Sequence, residues 1–349
     1  MVKSLKGSNK IEAYAVQEPI VDIPVRGNAA ARAKMTTVIN EMCKSEAGRV
    51  ILETAAENDY ELKFDRQAAK EGIYGYADPV EEVCVLNPKN TLAQNIVTLA
   101  HELRHAYQFT YEKLDDLSYS ECDTRTMMLK TRTMEADAES YGCLVAWELK
   151  EQGNDLCWKD FSSDYPEIAE PFEKAIKETG DLNQARTAAF KGWYDNEERR
   201  DYYDQTMLSC IEDTSPNIFK KKLKSVSASK FIGAYCSDPE TGENYFTEDP
   251  KILESGKYTA LYEDIKDRIT AHHQKREALS GRIPDKTVPD FETRQRPPEE
   301  PENNARAVSA EAKAVALAGR QKRAAEQIKQ QKKPSAPVLT LIKRRDSSR

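Results

Sequence analysis

The stretch Thr98-Leu99-Ala100-His101-Glu102-Leu103-Arg104-His105-Ala106-Tyr107 restricts this chain more than any other. It carries the pattern H-E-x-x-H. Residues four apart share one face of a helix, so His101 and His105 can aim at one metal ion. Glu102, one position round, can reach a water beside that ion. Neutral imidazole suits Zn²⁺, which keeps a position open for chemistry when only three protein groups hold it. The chain has only four histidines, and half of them are here. Around them Leu92, Ile96, Leu99, Leu103 and Ala106 repeat at helical spacing, and Ala93, Val97 and Ala100 widen the stripe. A helix apolar on most of its circumference is buried. A lone histidine there would be a satisfied core residue, but two at this spacing with Glu between them favour a metal.

A second long helix is expected from about Asp123 to Gln152, with Met134, Ala138, Tyr141, Val145 and Leu149 on its apolar face. Glu135 borders that face, in line with Ala138, Gly142 and Val145. An acid beside small residues suggests close approach to another helix with the carboxylate turned inward. Taken alone, a Glu at the edge of a solvated face is the commoner case, because charged groups are seldom buried unpaired.

The H-E-x-x-H pattern needs a third ligand. The three-histidine form would place Gly and His where this chain has Gln108 and Tyr111, and the inverted H-x-x-E-H is absent. The remaining common form takes Glu from a following helix, and Glu135 is placed for that. With these residues the chain resembles gluzincin-type zinc metallopeptidases, and more closely minimal bacterial metallopeptidase domains and ImmA/IrrE-like proteins. Their second helix carries E-x-x-A-(N/D)-x-F-A, matched by Glu135, Ala138, Glu139, Tyr141 and Gly142. The resemblance covers about residues 30–150. It implies one Zn²⁺ per chain, held by His101, His105 and Glu135 with water in the fourth place, and Glu102 as general base. It also implies a carboxylate that orients a ligand histidine, either Glu139 or its rival Asp137. An oxyanion donor is required as well; Tyr141, Tyr194 and Arg199 are the candidates. The implied activity is hydrolysis of a protein or peptide substrate, with the strand Glu82–Leu86 as the edge on which the peptide lies. A regulatory or scaffold protein that keeps the metal-site fold without turnover is the alternative, as is hydrolysis of a non-peptide bond.

Around these helices the sequence predicts an α+β fold, mainly helical. A small three-stranded sheet (Tyr60–Phe64, Gly72–Ala77 and Glu82–Leu86) packs on the motif helix. Residues 1–28 read as irregular, with a short strand near Ile20 to Val25. Two helical pieces follow to Asn58, the second capped by Ser45, and Asn90 is placed to cap the motif helix. Further helices are expected at about 165–178, 182–206 and 257–277. The resulting division is 29–206 for the metallopeptidase-like domain, 207–282 for a helical extension, and 283–349 for a proline-rich linker and a basic, largely disordered tail. Glu197-Glu198-Arg199-Arg200 reads as a solvated face, and His272-His273 as surface, since adjacent residues cannot chelate together on a helix.

Charge distribution narrows the partners. Residues 303–349 carry a net charge of +9, the other 302 a net of −16. An acidic body disfavours nucleic acid, while the tail could touch an acidic protein partner. No apolar run approaches the length of a membrane span. Seven cysteines without C-x-x-C spacing, and no apolar h-region near Met1, lead us to expect a reducing, cytoplasmic setting.

Overall fold

A computed structural model describes residues 18–111, 117–214, 223–281 and 287–296. The expectations for residues 297–349, the basic tail among them, lie outside the described residues. In chain order the elements are β1 (Val25–Arg26), α1 (Ala29–Met42), α2 (Glu46–Glu57), β2 (Glu61–Phe64), α3 (Arg66–Glu71), β3 (Gly75–Asp78), β4 (Val83–Leu86), α4 (Leu92–Tyr111) and α5 (Thr124–Glu151). There follow α6 (Leu156–Asp164), α7 (Pro166–Thr179), α8 (Leu182–Trp193), α9 (Glu197–Asp213), α10 (Ala228–Tyr235), β5 (Leu261–Tyr262), α11 (Glu263–Ser280) and β6 (Thr293–Arg294). The fold is α+β and mainly helical.

The sheet has four strands in the order β1-β2-β4-β3. The fourth strand, β1, lies at the end of the short stretch expected near Ile20 to Val25 and joins the sheet, pairing Val25 with Leu62 and Arg26 with Lys63. β2 and β4 are parallel, and β3 runs antiparallel to β4. This order corrects the expected substrate edge. Strand β4 is hydrogen-bonded on both sides, so among the described residues the edges are β1 and, next to β4, β3, whose residues are also buried. The crossover through α3 inserts β4 between its neighbours, and nothing local to residues 82–86 records that.

Helix starts follow side-chain chemistry. Ser45 Oγ accepts from Gly48 N at 2.9 Å, as expected. At α4 the cap is Thr91 rather than Asn90: Thr91 Oγ1 accepts from Gln94 N (3.1 Å), and Gln94 Oε1 accepts from Thr91 N (3.0 Å). This reciprocal box satisfies two donors that a helix N-terminus otherwise leaves open. Asn90 instead donates from Nδ2 to Tyr74 O at 3.0 Å, tying the start of α4 to the approach of β3. Asp123 caps α5 through Thr126 N at 2.8 Å.

α4 and α5 are antiparallel neighbours. Contacts run from Val97 with Gly142, through His101 with Glu139 and His105 with Glu135, to Gln108 with Met134. A Cβ on Gly142 would lie 3.4 Å from Val97 Cγ1, so the expected close approach at the small residues is present.

Beyond α5 several expectations change. The helix expected over 182–206 is two helices, α8 and α9, separated where Asn196 caps α9 through Arg199 N. The one expected from 257 begins at Glu263. Arg199 and Arg200, read as solvated, are buried: Arg199 pairs with Glu167 at 2.7 Å and Arg200 donates to Lys257 O at 2.6 Å. His273, read as surface, is buried too. α10, Tyr245 and Phe246 share the main hydrophobic core with α4 and α5. Residues 287–296, read as linker, bury Val288 and Phe291 in a second cluster with α9 and α11 and form β6 against β5.

Candidate metal centre

Antiparallel packing of α4 on α5 brings the motif histidines to the acid side of α5. His101 Nε2 and His105 Nε2 are 3.0 Å apart. Glu135 Oε2 is 3.4 Å from His105 Nε2 and 3.7 Å from His101 Nε2. Two ligands on a tetrahedral zinc with bonds of about 2.0–2.1 Å sit roughly 3.3 Å apart. The triangle of donor atoms therefore has the size such an ion needs. All three side chains are buried. Glu102 forms a second such group with the two histidines, without Glu135: one atom of each of the three lies within 4.8 Å of the others.

The state of the donors fits a cation as well. Among the described residues Glu135 Oε2 is buried without a hydrogen-bond partner of good geometry, and it faces both imidazoles. Burial alone would lower the His105 pKa, but the Glu135 and Glu102 carboxylates outweigh it and lift it to about 9. Burial likewise pushes the Glu135 carboxyl up, and the two imidazoles with the Tyr203 hydroxyl reverse this to a net lowering. Protein charges thus converge to favour positive charge at one point. Two imidazole nitrogens and a carboxylate oxygen are a borderline-soft donor set suited to zinc.

Each histidine is backed by a carboxylate, by different routes. Glu139 Oε2 lies 3.6 Å from His101 Nδ1, beyond direct hydrogen-bond length, and faces that nitrogen. Asp137 does not touch a histidine. It accepts from Gln108 Nε2 at 2.7 Å, and Gln108 Oε1 stands 2.8 Å from His105 Nδ1. The two rivals for one role therefore stand behind different histidines. Gln108 had figured in the sequence only as a residue that excludes the three-histidine form.

A cleft of about 540 Å³, counting space open to solvent, opens beside the centre. Its walls are Tyr74 and Gly75 at the head of β3, one side of α4 from Ala93 to Glu102, Glu139, and Asp160, Phe161, Asp164 and Tyr165 around α6. His101 and Glu102 are in the wall, whereas His105 and Glu135 are not among the lining residues. A Cβ on Gly75 would stand 2.7 Å from both Thr98 Cγ2 and Val85 O, so the edge strand is pressed against α4 at the cleft.

The three oxyanion candidates are not in this wall. The Tyr141 hydroxyl donates to Ala47 O at 2.9 Å, Tyr194 is buried among Phe190, Trp193 and Tyr258, and Arg199 is paired with Glu167. Arg199 instead lies over the ring of Tyr165, 4.8 Å from its centroid. The hydroxyl-bearing side chains that do line the cleft are Tyr74, Thr98 and Tyr165.

A protein-family model described as "Putative metallopeptidase family (DUF6782)" matches residues 14–246, two thirds of the chain. No curated protein matches the chain. No solved structure matches it either.

Proposed function

The chain belongs to this metallopeptidase family, and we propose that it hydrolyses peptide bonds with one Zn²⁺ held by His101, His105 and Glu135. The observation that carries the reading is the triangle of donor atoms at 3.0, 3.4 and 3.7 Å, with Glu102 beside it in the wall of the cleft. When bound, zinc polarises the scissile carbonyl and acidifies water. Everything else falls to side chains. Glu102 takes the proton of the attacking water and returns it to the leaving amine nitrogen. Glu139 faces His101 Nδ1 and favours the tautomer that leaves Nε2 free to bind. The substrate backbone extends along β3, whose outer side lacks a strand partner in the sheet order, and the pressed contact at Gly75 keeps it close to Glu102. Tyr74 and Tyr165 supply hydroxyls for the oxyanion in place of the buried residues singled out in the sequence. An intact Glu102 favours turnover over a scaffold, since its loss is the simplest way to end catalysis.

The test compares wild type with Glu102→Gln and Glu135→Ala on a peptide library, with zinc content measured in each. Glu102→Gln is expected to keep its zinc and lose about 10²–10⁴-fold in kcat/KM. Glu135→Ala is expected to lose most of its zinc. Undiminished hydrolysis by Glu102→Gln would remove the proposed base, and full zinc retention by Glu135→Ala would remove the third ligand.

A further inference from the structure

We propose that Gln108 is the positioning residue of His105, and that it is held in place by the segment around residues 235–245. Both amide hydrogens of Gln108 are committed. Nε2 donates to Asp137 Oδ2 at 2.7 Å and to Met134 O at 3.0 Å. Neither acceptor carries a hydrogen, so the amide cannot turn over without setting its own oxygen against two others. Its Oε1 must therefore face His105 Nδ1, at 2.8 Å. A carbonyl oxygen only accepts, so Nδ1 carries a proton, and in the neutral ring Nε2 is the nitrogen that presents its lone pair toward His101 Nε2 and Glu135. One amide orientation fixes both the tautomer and the ring plane.

The orientation is anchored far along the chain. Asp137 Oδ2 also accepts from Arg104 Nε at 2.6 Å, and Oδ1 accepts from Arg104 Nη2 at 3.1 Å and from the Tyr245 hydroxyl at 2.8 Å. Arg104 Nη2 donates further to Tyr235 O at 2.6 Å and Ser237 O at 2.7 Å. Gln108, Asp137, Arg104 and Tyr245 are all buried, so no bulk water competes for these bonds. Residues beyond α9 thus take part in the centre through Asp137: Tyr245 reaches His105 in three successive contacts (Asp137, Gln108, His105), and Tyr235 and Ser237 in four, by way of Arg104. Metal ligands are tuned by the groups that bind their far nitrogen, and losing such a group costs about 10–100-fold in metal affinity.

The consequence for zinc rests on the proposed function, whereas the tautomer does not, and the experiment separates them. In the full, metal-free chain, ¹⁵N NMR of neutral His105 is expected to place its proton on Nδ1. A proton on Nε2 would overturn the assignment, whether or not zinc binds. Chelator competition for Zn²⁺ then compares three full-length proteins. Gln108→Met, which loses the acceptor, is expected to bind about 10–100-fold more weakly than wild type. Gln108→Glu keeps an oxygen acceptor for His105 Nδ1 while giving up donation to Met134 O; because the acceptor is what fixes the ring, it is expected within about threefold of wild type. Equal binding by Gln108→Met, or an equal loss in Gln108→Glu, would overturn the proposal. Should Gln108→Met not fold, the NMR measurement on wild type decides. The Nδ1 tautomer without zinc binding would leave Gln108 assigned and the peptidase reading refuted.

Discussion

The two halves of α4 are built for opposite purposes. The N-terminal half, from Ala93 through Thr98 to Glu102, forms the wall of the cleft and is the open side of the site. The C-terminal half, carrying Arg104 and Gln108, is the closed side, covered by α5 and by residues 235–245, where the polar atoms that face His105 or Asp137 have defined partners. His101 sits at the open side, with Glu139 near its far nitrogen but beyond hydrogen-bond length, while His105 sits at the closed side in direct contact with Gln108. A single helix therefore offers a cleft wall and a rigid mount, and the two motif histidines divide between them. Substitutions on the open side should alter turnover, and those on the closed side should alter stability and metal affinity.

The largest break in that division is expected from Arg104→Met. It leaves Asp137 buried without its cation, which costs about 3–5 kcal/mol of stability, read by chemical denaturation. A loss below 1 kcal/mol would mean that this side behaves like a solvated surface. Gly75→Ala acts on the open side. The added methyl has 2.7 Å to Thr98 Cγ2 and to Val85 O, so β3 must shift. Overpacking of this kind costs about 1–3 kcal/mol. Because the strand is the proposed substrate edge, KM should rise more than kcat falls; an unchanged KM would move the substrate off β3. The smallest effect is expected from Tyr141→Phe, which removes the bond to Ala47 O for about 1–2 kcal/mol and leaves kcat as in wild type. A drop of about tenfold or more in kcat would return Tyr141 to the oxyanion role that its place in the sequence suggested.

The sequence revealed the open side better than the closed one, for a physical reason. H-E-x-x-H lies within about one turn of helix, and the apolar stripe around it and the Asp123 cap of α5 are equally local, so both helices could be inferred from spacing, and the meeting of Glu135 with the histidines from the family resemblance those residues carry. Arg104 and Gln108 looked like ordinary polar positions because their partners are distant: Arg104 reaches Tyr235 O over 131 residues. Arg199 and Arg200 were misread for the same cause, since Glu167 and the Lys257 carbonyl that satisfy them come from other elements. Strand order was hidden too. β4 has the composition of a strand, but whether it lies inside the sheet depends on how the chain crosses over through α3. In residues 287–296 the proline-rich, charged surroundings concealed Val288 and Phe291, three apart and both buried.

The hydroxyl that anchors Asp137 is 108 residues downstream of it. Both histidines, Glu102 and Glu135 are synthesised before any of that anchoring segment exists. At roughly 5–20 residues per second, a ribosome spends on the order of 5–20 s between the two. Throughout that interval the nascent chain holds the two histidines, Glu102 and Glu135 without the segment that anchors Asp137. The portion of the chain made later thus sets the moment at which the portion made earlier becomes organised.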